Sequence, residues 1–121
     1  MYFYSGVQIS QFNQGGQNWA VGTRGNDTIR QYGTNGTISV GFGGAGNDRF
    51  VLGGNGNRGI QFGGSGHDSF NITGTNGAYA VVGGSGTDTL NLGSGYIQHR
   101  NAYYNPTTNN AVYALGINRV F

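Results

Sequence analysis

Apolar side chains in this sequence come in pairs two residues apart, set between glycine-rich stretches. One series reads Phe50/Leu52, Phe70/Ile72 and Leu90/Leu92; a second, half a repeat away, reads Trp19/Val21, Val40/Phe42, Ile60/Phe62 and Ala80/Val82. Residues two apart share one face of a strand. The segments between turns hold only about four to six residues, too few for a helix and enough for a short strand. Each repeat therefore predicts two strands with their apolar pairs turned inward, and stacked repeats predict an all-β chain of two parallel sheets facing across a narrow core.

The turns recur every 20 or 21 residues. Four units open as Gly22-Thr23-Arg24-Gly25-Asn26-Asp27, Gly43-Gly44-Ala45-Gly46-Asn47-Asp48, Gly63-Gly64-Ser65-Gly66-His67-Asp68 and Gly83-Gly84-Ser85-Gly86-Thr87-Asp88, and every aspartate in the chain ends one of them. A second turn lies midway through the first three repeats: Gly33-Thr34-Asn35-Gly36, Gly53-Gly54-Asn55-Gly56 and Gly74-Thr75-Asn76-Gly77. Asn-Gly suits a tight turn because both residues tolerate positive φ. A single repeat cannot bury its apolar face alone, so stability has to come from neighbour stacking on neighbour.

Composition narrows the function. The 121 residues, room for one domain, include 26 Gly and 15 Asn but no Lys, Glu or Cys. That removes disulfides, Cys-ligated zinc, thiol nucleophiles, phosphate-loop lysines and Schiff bases. Leu, Ile, Val and Phe together make only 26 of the 121 residues, a thin core, while the 8% charged fraction is too low for a self-repelling disordered chain. The net charge of +2 comes from Arg24, Arg30, Arg49, Arg58, Arg100 and Arg119, strung singly along the chain. Nucleic acid, which demands a dense basic face, is not an expected partner. No apolar run approaches the ~20 residues of a membrane span. The opening Met1-Tyr2-Phe3-Tyr4-Ser5-Gly6 lacks the basic and then apolar regions of a secretory signal, so export is expected by another route.

From Gly22 to about Leu92 the Gly-Gly-x-Gly-x-Asp-x-apolar-x units resemble the nonapeptide repeats of RTX (repeats-in-toxin) proteins. The resemblance implies a right-handed parallel β-roll of about four to five coils, with calcium held between glycine-rich turns of successive coils. Two departures stand out: aspartate occurs in every second turn rather than every turn, and the chain is basic rather than acidic. Calcium is therefore implied on one side only, with Asn-Gly turns closing the other, a layout similar to bacterial RTX-type antifreeze adhesin domains.

The residues give a physical reason for such ions. Stacking sets Asp27, Asp48, Asp68 and Asp88 in a column at the inter-strand spacing of about 4.8 Å. Two carboxylates so placed repel by roughly 3–4 kcal/mol at an effective dielectric near 20, and by about 1 kcal/mol in water. Calcium takes six to eight oxygens in flexible geometry, and glycine-rich turns offer carbonyls unobstructed by side chains. The expected ligand set is the four aspartates with the turn glycines Gly22, Gly25, Gly43, Gly46, Gly63, Gly66, Gly83 and Gly86. It predicts about three ions, in the gaps Asp27–Asp48, Asp48–Asp68 and Asp68–Asp88. The competing reading has each aspartate simply capping backbone amides of its turn.

Other motifs carry less. Gly54-Asn55-Gly56-Asn57-Arg58-Gly59 matches a dinucleotide fingerprint but runs into a strand, not a helix. Ser65, His67 and Asp68 supply hydrolase-triad residue types, yet as near neighbours in one turn they cannot form the relay. The sequons at Asn26, Asn35 and Asn71 read as turn chemistry. Residues 1–21 are expected to give an opening strand, with Tyr2, Phe3 and Tyr4, and a degenerate coil; residues 22–92 the roll; residues 93–121 a capping hairpin, Tyr96–Tyr104 and Ala111–Ile117 about the turn Asn105–Asn110. The aromatic termini, with Tyr103, Tyr104, Tyr113 and Phe121, suit a protein partner or a homo-oligomer. The expected function is a non-enzymatic, calcium-stabilised structural component of an extracellular particle, virion or cell surface. An ice- or glycan-binding adhesin module and an RTX-type secretion module are the alternatives.

Overall fold

The computed structural model describes residues 6–121; Tyr2, Phe3 and Tyr4 of the expected opening strand lie outside the described residues. Each repeat supplies two strands, as its pattern demands. They are β1 (Gln8–Gln14), β2 (Gln17–Val21), β3 (Thr28–Thr34), β4 (Ile38–Phe42), β5 (Arg49–Asn55), β6 (Arg58–Phe62), β7 (Ser69–Ile72), β8 (Ala78–Val82) and β9 (Thr89–Asn91). The chain continues through β10 (Ile97–His99), β11 (Ala102–Asn105), β12 (Asn110–Leu115) and β13 (Arg119–Val120). One sheet runs β1-β3-β5-β7-β9-β13 and the other β10-β11-β12-β8-β6-β4-β2. Successive coils pair parallel and in register, with Phe50 beside Phe70 and Phe42 beside Phe62. The result is a parallel β-solenoid of about four turns.

The C-terminal region does more than cap. Strands β11 and β12 form a hairpin about the expected turn, held by Asn105, whose Oδ1 accepts from the Thr107 and Thr108 amides at 2.9 and 3.2 Å. The expected strand Tyr96–Tyr104, however, is broken at Arg100 (φ 59°) into β10 and β11, which pair antiparallel. Strand β12 also pairs parallel with β8, and β13 pairs parallel with β9. Strands β9 and β12 thus make a further coil, split by the inserted β10 and β11.

The two sheets fill the core unequally. In the first, Phe50, Leu52, Phe70, Ile72, Leu90 and Leu92 point inward and are buried, Phe50 stacking on Phe70 at 4.9 Å between centroids. In the second the expectation is overturned: Trp19 and Val21 are 58% and 69% exposed, and Phe42, Ile60 and Phe62 also lie outside, with Val40 alone of these pairs buried. Inward positions there belong to Ala20, Ser39, Gly41, Gly59, Gln61, Tyr79, Val81, Val112 and Ala114. Space is the reason. A Cβ on Gly41 would sit 3.1 Å from the Phe50 ring and 3.0 Å from Gln31 Oε1, so a second layer of large side chains has no room in a close-packed interior.

Part of that core is polar. Gln61 Nε2 donates to Gln31 Oε1 (3.2 Å) and the Ser39 carbonyl (3.1 Å), Gln31 Nε2 donates to the Val40 carbonyl (2.9 Å), and Ser39 Oγ donates to Asn57 Oδ1 (2.8 Å). These bonds fix the register of β3, β4 and β6 from inside, each worth about 0.5–1.5 kcal/mol net.

Candidate metal centre

Left-handed glycines build the three later Asp-bearing turns. Gly64 and Gly66 have φ of 92° and 106°, and Gly44, Gly46, Gly84 and Gly86 repeat the pattern, a conformation that side chains with a Cβ rarely adopt. The chain then re-enters the sheet with its aspartate folded inward. Asp27, Asp48 and Asp68 are 2% exposed and Asp88 is fully buried.

One carboxylate oxygen is fully accounted for. Oδ1 of Asp48, Asp68 and Asp88 accepts from the backbone amide of the aspartate one coil earlier, Asp27, Asp48 and Asp68 respectively, each at 2.8 Å. Asp27 Oδ1 serves the Val7 amide in the same way at 2.8 Å. At the far end the Asp88 amide donates to Asn118 Oδ1, also at 2.8 Å. Asn118 is therefore a fifth member of the column, on the short turn before β13. The amide-capping role weighed from the sequence is present: through Oδ1 it links coils, and at Asp27 it also closes its own turn.

The other oxygen differs along the column. Asp27 Oδ2 accepts from the Thr23 amide at 2.7 Å while the Thr23 hydroxyl donates to Oδ1 at 2.8 Å. At the place of Thr23 the later units carry Gly44, Gly64 and Gly84, all at positive φ. Oδ2 of Asp48, Asp68 and Asp88 is buried with no hydrogen-bond partner. These oxygens face glycines chosen for their lack of a side chain. A Cβ on Gly43 would fall 2.5 Å from Asp48 Oδ2 and 2.7 Å from the Gly63 carbonyl oxygen. The same cradle recurs at Gly63, between Asp68 Oδ2 and the Gly83 carbonyl, and at Gly83, between Asp88 Oδ2 and the Gly116 carbonyl. Each cradle thus brings together two acceptors and no donor.

Electrostatics follows from that pairing. Burial pushes Asp48 up to about 7, against the amide bond from Asp27, with the Asp68 and Asp27 charges adding to the rise. Burial likewise raises Asp68 to about 6, and it raises Asp88. For Asp27 the burial effect is outweighed by bonds from Val7 and Thr23, and its carboxyl is lowered. Burial therefore disfavours the charged form of three of the four aspartates, a penalty that a proton or a cation beside them would relieve.

The fit to calcium can be judged on these atoms. A buried carboxylate oxygen converging with a carbonyl oxygen is a hard donor pair, suited to Ca²⁺ and not to Zn²⁺. Among the described residues no three of the His, Cys, Asp and Glu side chains gather about one point, so any site here draws on carbonyls as well as carboxylates. Gly22, Gly43, Gly63 and Gly83 face carboxylates. Gly46, Gly66 and Gly86 instead lie against the matching glycine of the previous coil, Gly25, Gly46 and Gly66. Beside the column runs an exposed ladder the sequence did not announce: Asn26 Oδ1 accepts from the Asn47 amide, Asn47 Oδ1 from the His67 amide and His67 Nδ1 from the Thr87 amide, at 2.7, 2.8 and 2.9 Å. His67 Nδ1 and Asp68 Oδ1 are thus both engaged with backbone amides of neighbouring coils.

Fold and site together define a parallel β-solenoid with a buried carboxylate column along one line of turns. Set against protein-family models, curated proteins and solved structures, the chain matches none of them. Among the described residues no helix is long and apolar enough to cross a membrane.

Proposed function

We propose that this chain is a non-enzymatic structural protein, a calcium-stiffened β-solenoid that serves as an assembly component of an extracellular particle such as a virion or cell surface. One observation carries the reading: three buried Oδ2 atoms without donors share their cradles with glycine carbonyls. Asp48 with the Gly63 carbonyl, Asp68 with the Gly83 carbonyl and Asp88 with the Gly116 carbonyl would hold the ions. A bound divalent cation supplies the positive charge these acceptors lack. The chain's own share is the Oδ1 ladder, which keeps adjoining coils in register. Open, carbonyl-rich turns suit the millimolar calcium found outside cells, and the likeness to RTX repeats agrees with that compartment.

The structural role draws support from where the acids lie. All four carboxylates belong to the column. The outer face of the second sheet is apolar, as a protein contact requires. Thermal unfolding followed by circular dichroism tests the reading, in calcium, in magnesium and in chelator. Calcium is expected to raise Tm by about 10 °C or more, at roughly 3–6 °C per kcal/mol for a chain of this size, and magnesium far less. Equal melting in calcium and chelator overturns it.

A further inference from the structure

The outer face of β2, β4, β6 and β8 is laid out in rows by the parallel register. One row reads Trp19, Val40, Ile60, Ala80, and another Val21, Phe42, Phe62, Val82. Phe42 and Phe62 stack at 5.2 Å with their planes 6° apart. Beyond Ala80 the surface dips into a trough of about 510 Å³, floored by Ala78, Ala80 and Ala111 and walled by Ile60 and Tyr113.

We infer that this face binds a second copy of the same chain in a two-fold, sheet-on-sheet dimer. The proposal rests on the reading of the chain as an assembly component and names its partner. A two-fold axis parallel to the strands, passing between β4 and β6, lays β2 over the partner's β8 and β4 over the partner's β6. The order of side chains suits that reversal. Over the four strands that overlap, Val21, Phe42, Phe62 and Val82 read the same in both directions, so aromatic meets aromatic and valine meets valine, while Tyr113 and Leu115 of β12 extend the rows past the overlap, along the edge of the partner's β2. In the other row the largest side chain, Trp19, falls on the smallest, Ala80, and enters the alanine-floored trough. Arg58, the one charged group in the third row (Gln17, Ile38, Arg58, Ala78), falls opposite Ile38 and not opposite itself. No acidic side chain lies on these rows to recruit a basic partner.

Size agrees as well. The exposed parts of Trp19, Val21, Ile38, Phe42, Ile60, Phe62, Tyr113 and Leu115 offer roughly 700 Å² or more, close to the ~800 Å² per partner of a standard interface and above the few hundred Å² usual for an apolar patch on a monomer. Two sheets stacked about 10 Å apart with near-aligned strands is an ordinary sandwich geometry.

The test is sedimentation velocity of the full chain in calcium at tens of micromolar, with circular dichroism to confirm folding. The wild type is expected at twice the chain mass. Trp19→Ala, which leaves the trough unfilled, and Ala80→Trp, which sets tryptophan against tryptophan, should each weaken association at least tenfold. The double variant Trp19→Ala/Ala80→Trp exchanges the large and small partners and should recover the dimer, a rescue no folding defect would give. A folded wild type that stays monomeric, or association indifferent to Ala80→Trp, overturns the inference and leaves the face to another kind of partner. Failure of the calcium reading would appear separately, as melting that calcium does not change.

Discussion

At the scale of single residues, the column divides its labour between two oxygens. Oδ1 caps an amide of the adjoining coil, a task Asn118 performs with an amide side chain. Asp68→Asn should therefore keep the cap while removing a buried charge. Its melting temperature in chelator should equal or exceed that of the wild type, and the gain on adding calcium should shrink. Asp68→Ala orphans the Asp48 amide and should cost about 1–3 kcal/mol in a urea titration. Gly43→Ala puts a methyl group into the cradle between Asp48 Oδ2 and the Gly63 carbonyl. It should cost about 1–3 kcal/mol through overpacking and reduce calcium uptake. For pH dependence the sign follows from the raised values. Asp48 near 7 and Asp68 near 6, against an ordinary 3.8, mean that the fold favours their neutral forms. Without metal, that stability is fully present below about pH 4 and is lost as pH rises through 6 to 7. Asp27, lowered, works the other way, its share being lost as pH falls. Urea midpoints in chelator should fall between pH 5 and pH 8, and calcium should remove the fall.

At the scale of elements, what the sequence disclosed depended on glycine. Turns announced by Gly-Gly-x-Gly-x-Asp fell where expected, whereas β3 runs on through Gly33 and Thr34 and β5 through Gly53, Gly54 and Asn55 of the Gly-x-Asn-Gly motifs. The facing of β2, β4, β6 and β8 was not legible. Pairs such as Ile60/Phe62 are two apart whichever way they point, and only the size of Phe50 and Phe70 opposite shows that Gly41, Gly59 and Ser39 must be the inward residues. Nor was the coil formed by β9 and β12 evident, because β10 and β11 interrupt the period and Gly116-Ile117-Asn118 is shorter than the other turns. Nothing in the sequence marks Gln31 and Gln61 as inward, because the partners that satisfy them lie 9, 22 and 30 residues away. Truncation of the chain after Leu115 removes Asn118 and β13, the partners of Asp88 and β9. Coils couple only to their neighbours, so amide exchange at Thr89–Asn91 should accelerate while β3 and β4 keep their protection. Phe50→Ala, which breaks the central stack, should instead cost about 3–5 kcal/mol and loosen the middle of the solenoid.

At the scale of the whole molecule, the two outer faces differ in kind. That of the first sheet is mixed, with Thr28, Arg30, Arg49, Ser69, Asn71 and Thr89 beside the apolar Phe12 and Val51; that of the second is apolar apart from Gln17 and Arg58. The solenoid thus has one mixed side, one largely apolar side, and a line of turns that buries its four aspartates. Expectation and structure meet in that line, since the four aspartates do share one column, with five of their eight carboxylate oxygens accepting hydrogen bonds. Calcium stoichiometry tests the central claim most directly, by isothermal titration of the wild type and of the triple variant Asp48→Asn/Asp68→Asn/Asp88→Asn. About three ions per chain are expected for the wild type, one for each cradle, and none for the variant, with the fold retained. Absence of binding to the wild type, or the same uptake by the variant, would contradict it.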